Sequence, residues 1–348
     1  MTLFWNDLRS TRRRSGAQVG AALAFLTSLL AGAPALAVPS GLGFYSVGSV
    51  ETSATASGDV VVVGDAVFVG SGGFGGAGQS IVRIDGSGET VIATGFNALA
   101  GFTYDAVNDR LLVGDNGLEA PGSVTGDTVY AIPSPFADPL APPAASTLAL
   151  LPDGAVPGVA DLVLDPADPT GDTLLLSDAS GSFPPAGEVL SLAIGAATLS
   201  SIGSGFAYTS GLAVDGDTLY VGEAALDFSG NVYTVDLGAP GGPGAPALLA
   251  GLPGGVYDLE VGADGFLYAT TGGDIVRIDP GDGSLTTVAT GFGFTGGLFA
   301  AADGRLFAVD GFAAPGEENR VWVFTPVPEP GTALLCGLGL ALLARRRR

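Results

Sequence analysis

Short apolar runs, each cut off by glycine, aspartate or serine, recur along most of the chain. Ser210 to Asp236 packs three of them into 27 residues, ending at Asp215, Glu223 and Asp236. Side chains alternate across a strand with period 2, and the residues that stop these runs tolerate the positive φ of tight turns, so the pattern predicts strands joined by hairpins rather than helices.

The unit repeats. Its second strand recurs at Val67–Ser71, Leu111–Asp115, Leu174–Asp178, Leu219–Glu223, Leu267–Thr271 and Leu306–Asp310. Its third recurs at Ile81–Asp85, Val129–Pro133, Val189–Ala193, Val232–Asp236, Ile275–Asp279 and Val321–Thr325. First strands include Gly101–Asp105, Asp161–Asp165, Gly211–Asp215 and Tyr257–Val261, and a fourth strand follows in five units, as in Glu89–Thr94 and Ser284–Thr290. Second strands end at 71, 115, 178, 223, 271 and 310, steps of 44, 63, 45, 48 and 39. Four-stranded units at this period predict an all-β, six-bladed β-propeller, because radial repetition shields the sheet edges that a sandwich of the same strands would leave open. The sixth unit lacks a fourth strand, and Leu42–Val50 has no unit of its own. That segment is expected to close the ring by pairing with the sixth blade, which ties down both ends of the body. First-to-second connections such as Asp215-Gly216-Asp217 are tight, whereas second-to-third loops such as 115–126 are long. One face is therefore plain and the other elaborated, and elaborated loops on a rigid scaffold are where binding usually sits.

Composition changes this picture mainly by subtraction. The 348 residues include no histidine, no lysine and a single cysteine, Cys336. That removes Ser-His and Cys-His nucleophile pairs, histidine zinc sites, Schiff bases and internal disulfides. Any catalysis would run on carboxylates, hydroxyls or a hard metal. Of 13 arginines, four lie in the first 14 residues and four end the chain. The span 38–330 keeps five against 34 acids, a net charge near −29 that repels nucleic acid and anionic lipid, rules out nucleic acid as a partner and attracts cations.

The two ends predict where the body goes. Residues 1–37 read as a signal peptide: a basic stretch at Arg12–Arg14, an apolar core at Val19–Leu30, and a small-residue site with Ala35 and Ala37 for signal peptidase. The body then spans 38–326, with its closing strand at 42–50, and a tail spans 327–348. In that tail Pro328-Glu329-Pro330 precedes the apolar run Ala333–Ala344, which contains Cys336, and the basic end Arg345, Arg346, Arg347 and Arg348.

Two resemblances attach to these residues. A glycine or aspartate opening strand one, Leu-aromatic-Val-x-Asp in strand two and Val-Tyr-x-Val-Asp in strand three resemble NHL-type and gluconolactonase-like six-bladed propellers over roughly 42–325. The tail resembles the PEP-CTERM sorting signal of exopolysaccharide-producing Gram-negative bacteria. That resemblance implies cleavage by an exosortase, a membrane transpeptidase, after a transient anchorage in which the arginines stay cytoplasmic. As a helix the run Gly331–Ala344 would reach only about 21 Å against a ~30 Å bilayer core, so the resemblance, not the length, carries the single transmembrane helix.

Candidate chemistry is limited to carboxylates. Asp115, Asp178, Glu223 and Asp310 share one repeat position, the end of strand two, where a cation site competes with a cap that accepts backbone N–H bonds within each blade. The cap is favoured, because equivalent positions on separate blades are not thereby near one another. Asp161 and Asp258 start inner strands and are expected to point at the central channel, where the gluconolactonase resemblance implies a divalent metal held by Glu, Asn and Asp. The asparagine near an inner-strand entrance is Asn97. Glu223, Asp227 and Asn231, or Glu317, Glu318 and Asn319, are loop groups of a type that binds Ca²⁺ weakly, but they lack EF-hand spacing and solvated loop charge is the favoured reading. Taken together these features favour a binding or scaffold protein of the cell surface or matrix, whose partners would be an extracellular polysaccharide or another surface protein. A metal-dependent lactonase-like or sugar hydrolase and a structural matrix protein are the alternatives. Three or more acids and asparagines converging at the channel would favour the enzyme.

Overall fold

The computed structural model describes residues 40–42, 45–53, 55–72, 78–116, 128–137, 148–151, 156, 158–179, 186–225, 227–311, 313 and 317–327. The expected signal peptide with Ala35 and Ala37, and the tail from Pro328 to Arg348, lie outside them.

Two strands come first, β1 (Ser40–Gly41) and β2 (Tyr45–Glu51). The first antiparallel four-stranded sheet follows as β3 (Ala56–Val63), β4 (Ala66–Ser71), β5 (Gln79–Asp85) and β6 (Gly88–Phe96). The second is β7 (Leu99–Asp105), β8 (Arg110–Asp115), β9 (Thr128–Pro133) and the short β10 (Leu148–Ala149). The third is β11 (Val159–Leu164), β12 (Thr173–Asp178), β13 (Gly187–Ala193) and β14 (Thr198–Phe206). The fourth is β15 (Tyr208–Asp215), β16 (Thr218–Ala224), β17 (Gly230–Asp236) and β18 (Ala247–Leu252). The last sheet has eight strands, built on β19 (Asp258–Val261), β20 (Leu267–Thr270), β21 (Gly272–Ile278), the 16-residue β22 (Leu285–Ala300), β23 (Leu306–Asp310) and β24 (Arg320–Pro326). It is continuous because β22 serves twice. Its first half pairs with β21 and its second half with β23.

The segment after position 42 enters here. Strand β2 runs antiparallel to β24 from Tyr45 opposite Pro326 to Glu51 opposite Arg320, and completes that end of the sheet. The Tyr45 hydroxyl meets the Tyr268 hydroxyl at 3.0 Å, which fastens the incoming strand to β20 as well. An addition not anticipated from sequence is β1, which pairs with β22 at Ser40 opposite Thr290. Among the described residues no α-helix forms, and no helix is long and apolar enough to cross a membrane.

The innermost strands stand side by side in a closed circuit: β3 beside β7, then β11, β15, β19 and the second half of β22, which returns to β3. This is a propeller arrangement, and its core is distributed. Six apolar clusters lie one between each consecutive pair of sheet units. Phe68, Phe96 and Leu111 fill the wedge between the first two, and Val60, Phe307 and Val309 fill the wedge that joins last to first. Burial of side chains this size stabilises by about 1.5–3 kcal/mol each, so the wedges, not the ladders alone, hold the ring shut.

Candidate functional site

The inner strands of all units line a central cavity of about 220 Å³. Its acids are Asp59, Asp161, Asp258 and Glu260. Sequence reading placed Asp161 and Asp258 there and missed the other two. Asp59, Asp161 and Asp258 sit at one position on β3, β11 and β19, that is, on every second inner strand. Irregular register at Ser57/Val60 and at Val159/Asp161 re-aims the first two across the channel wall, as bulges do.

Each of the three aspartates makes the same pair of bonds. One carboxylate oxygen accepts the amide of the next residue, Val60, Leu162 or Leu259, at 2.7 Å in every case. The other accepts an amide on the following inner strand: Phe102 at 2.6 Å, Leu212 at 2.6 Å and Leu298 at 2.5 Å. The carboxylates are thus staples between neighbouring strands. The opposite neighbour supplies a glycine. A Cβ on Gly101 would lie 2.6 Å from Asp161 Cα, one on Gly211 2.5 Å from Asp258 Cα, and one on Gly297 2.6 Å from Asp59 Cα.

Crowding four carboxyls into a buried wall changes their protonation. Burial pushes the Asp59 carboxyl up to about 7, against the pull of the Val60 and Phe102 amides and a hydrogen bond with Asp258. Burial first, and then the charge of Asp59, raise Asp161 well above the ordinary carboxylate range. Asp258 is raised by burial and then by Asp59, Asp161 and Glu260, and Glu260 by burial and then by Asp59 and Asp161. Glu260 is partly exposed, lines the same cavity as Val61, Thr103 and Phe299, and is the channel acid not committed to a strand amide. More than three acids therefore do converge on the channel, yet three of them are spent on holding strands together.

Both oxygens of those three already accept amides. With Glu260 alone uncommitted, this donor set does not fit the divalent ion that the gluconolactonase resemblance implies. Among the described residues no group of three or more His, Cys, Asp or Glu is arranged to hold a metal ion.

The strand-two acids are distributed, not gathered. Asp115 accepts the amides of Asn97 at 3.1 Å and Ala98 at 2.9 Å, and Asp310 those of Gly293 and Phe294 at 2.8 Å. Glu223 accepts the Ala207 amide at 2.6 Å and the Asn231 side chain at 2.8 Å. Each fixes the segment leading into its own inner strand. Asp178 is buried at the end of β12. Of the two loop groups, Asp227 turns to Ser229 instead of joining Glu223, and Glu317 pairs with Arg320.

Comparison with known proteins matches both parts of the chain. Residues 326–348 match the PEP-CTERM protein-sorting motif, which takes in Pro328, Glu329, Pro330 and the four terminal arginines. None of the curated protein sequences matches. Among solved structures, a gluconolactonase of Xanthomonas campestris aligns with TM-score 0.59 and 18% identity over 82% of this chain and 91% of its own. A carbohydrate-active enzyme of family AA12 from Trichoderma reesei aligns with TM-score 0.58 and 13% identity, over 84% and 99%. The WD40 β-propeller domain of Doa1 aligns with TM-score 0.51 and 15% identity, over 83% and 97%. At these identities the likeness carries the fold and not the activity. The chain joins a propeller-fold body, similar to gluconolactonase structures, to a C-terminal PEP-CTERM sorting motif.

Proposed function

We propose that this is an exported, exosortase-processed six-bladed propeller that serves at the cell surface or in the matrix as a binding or scaffold protein. Residues 1–37 act as the signal peptide, 38–326 form the propeller, and 327–348 form the sorting tail with its short transmembrane helix. The observation that carries the reading is the sorting motif at 326–348, which begins where the last strand of a closed, self-stapled body ends. Recognition falls to the long second-to-third loops, since the channel aspartates are occupied in holding the ring. Replacing Pro328, Glu329 and Pro330 by alanine in the native host is expected to trap the protein in the inner membrane at its longer length. Export at parental efficiency and unchanged mass would overturn the reading.

A hydrolase is the second reading, and Glu260 is what favours it. A carboxyl raised by burial and facing the lumen is of the kind that serves as a general acid, and gluconolactonases share the fold. Lactone hydrolysis by the purified body that is lost in Glu260→Gln, with the far-UV circular dichroism spectrum and cooperative unfolding retained, would move the assignment to the enzyme.

A further inference from the structure

The point at which the chain leaves the body fixes which way the anchored precursor faces. Strand β24 ends at Pro326, and Val327 beyond it is exposed. Pro326 borders a cleft with Tyr45, Gly262, Asp264, Ala301 and Gly304. Gly262 and Asp264 belong to the tight first-to-second turn between β19 and β20, and Ala301 and Gly304 to the one between the second half of β22 and β23, while Tyr45 opens β2. The long second-to-third loops open at the other end of the same strands. From Val327 to Thr332 six residues separate the body from the apolar run, a reach of at most about 20 Å when extended. The turn end is therefore held close to whatever the tail enters.

That end carries a ring of net negative charge. Every first-to-second turn contributes an aspartate: Asp65, Asp109, Asp168, Asp217, Asp264 and Asp303. Arg277 and Arg305 on the same turns or beside them are tied to Asp264 and Asp303. Arg110 is tied to Asp105 and Asp172. A bilayer leaflet rich in anionic headgroups repels such a ring over about one Debye length, ~30 Å at 0.01 M salt and ~3 Å at 1 M.

We infer that in the tail-anchored precursor the turn end is the membrane-proximal face, and that its ring of aspartates holds the body off the anionic leaflet. The inference rests on the sorting reading above and adds an orientation and a repulsive surface to it. The long-loop end then faces outward while the protein is still anchored.

The test uses the tail-bearing protein from a host without the processing enzyme, in vesicles of phosphatidylethanolamine and phosphatidylglycerol. In a Cys336→Ala background, one fluorophore is placed at the turn end through Ala302→Cys and another at the loop end through Ser229→Cys. A headgroup-attached quencher reports proximity. The turn-end label is expected to be quenched at least about twofold more than the loop-end label, and its quenching to rise at least about twofold from 0.01 M to 1 M salt. Asp65→Asn, Asp109→Asn, Asp217→Asn and Asp303→Asn together keep an acceptor oxygen in each turn, and should remove most of that rise. Stronger quenching of the loop-end label overturns the orientation, and a parent whose turn-end signal ignores salt overturns the repulsion. A protein that does not enter the vesicles at all overturns the sorting reading, and this inference with it.

Discussion

Raising the pH through neutrality should destabilise this protein, against the usual behaviour of an acidic chain whose carboxylates are paired. In the unfolded state Asp59 titrates near 3.8, and in the folded state burial holds it up to about 7. The folded protein therefore keeps a proton that the unfolded chain has given up, so unfolding stability falls as pH rises between those values and levels off above the upper one. One group displaced by about three pH units amounts to ~4 kcal/mol. Asp161, Asp258 and Glu260 are raised too and extend the loss in the same direction. Surface turn acids act oppositely: hydrogen bonds from Thr170 and Thr173 hold Asp168 down at about 2, and Ser229 and Ser284 lower Asp227 and Asp282. Their contribution is lost only as pH falls below about 4, outside the window. At about 2.1 cal/mol/K for each residue, a body of this length loses roughly 7 °C of melting temperature for 4 kcal/mol. The assay is thermal melting from pH 4.5 to 7.5 in 0.5 M salt, which screens the general repulsion of the acidic surface. Asp59→Asn should start lower, because its amide nitrogen faces a strand N–H, and should show a clearly shallower slope. A melting temperature that is flat or rises across this window, or a variant that keeps the full slope, would refute the protonated-channel account.

Three further outcomes follow from the packing. Gly211→Ala puts a methyl against the Asp258 backbone and should cost about 1–3 kcal/mol in denaturant unfolding, and an unchanged midpoint would show that the strands are not in contact there. Asp115→Asn turns an amide nitrogen toward the Asn97 or Ala98 N–H and should cost about 1–3 kcal/mol, whereas Asp227→Asn on an exposed turn should stay within about 0.5 kcal/mol. Deleting Leu42–Val50 strips β24 of its outer partner, leaving only β23, and removes the Tyr45–Tyr268 bond, and should lower the melting temperature by more than about 5 °C; equal midpoints would reject β2 as the clasp.

Much of the scaffold is readable from residues alone because strand periodicity and turn chemistry are local. Asp215-Gly216-Asp217 announces a hairpin wherever it occurs, and Val232–Asp236 alternates as a strand must. The channel is a different matter. Ser57-Gly58-Asp59 reads as one more turn, since Gly-Asp is a turn signal, and only a bulge against β4 and the closing of the ring bring Asp59 to the lumen beside Asp258. Glu260 lies two residues after Asp258 on a strand of period 2, so it shares the inward face, but nothing local separates that face from the outward one. The double use of β22 was hidden for the opposite reason. Ser284–Thr290 looks complete as an outer strand, and the chain simply continues straight into the next unit with no turn residue to mark the boundary.

The staples also set a rule of parity. Each aspartate reaches forward to an amide on the next inner strand, and each glycine makes room for the aspartate that follows it, so two kinds of unit must alternate around the circle. Neighbours of the same kind would place two carboxylates with no room between them, or two glycines with nothing to seat. A single unit therefore cannot be gained or lost without leaving one such mismatched seam. Change by an adjoining pair keeps the alternation intact, and the ring behaves as a set of interlocking double units, countable in twos but not in ones.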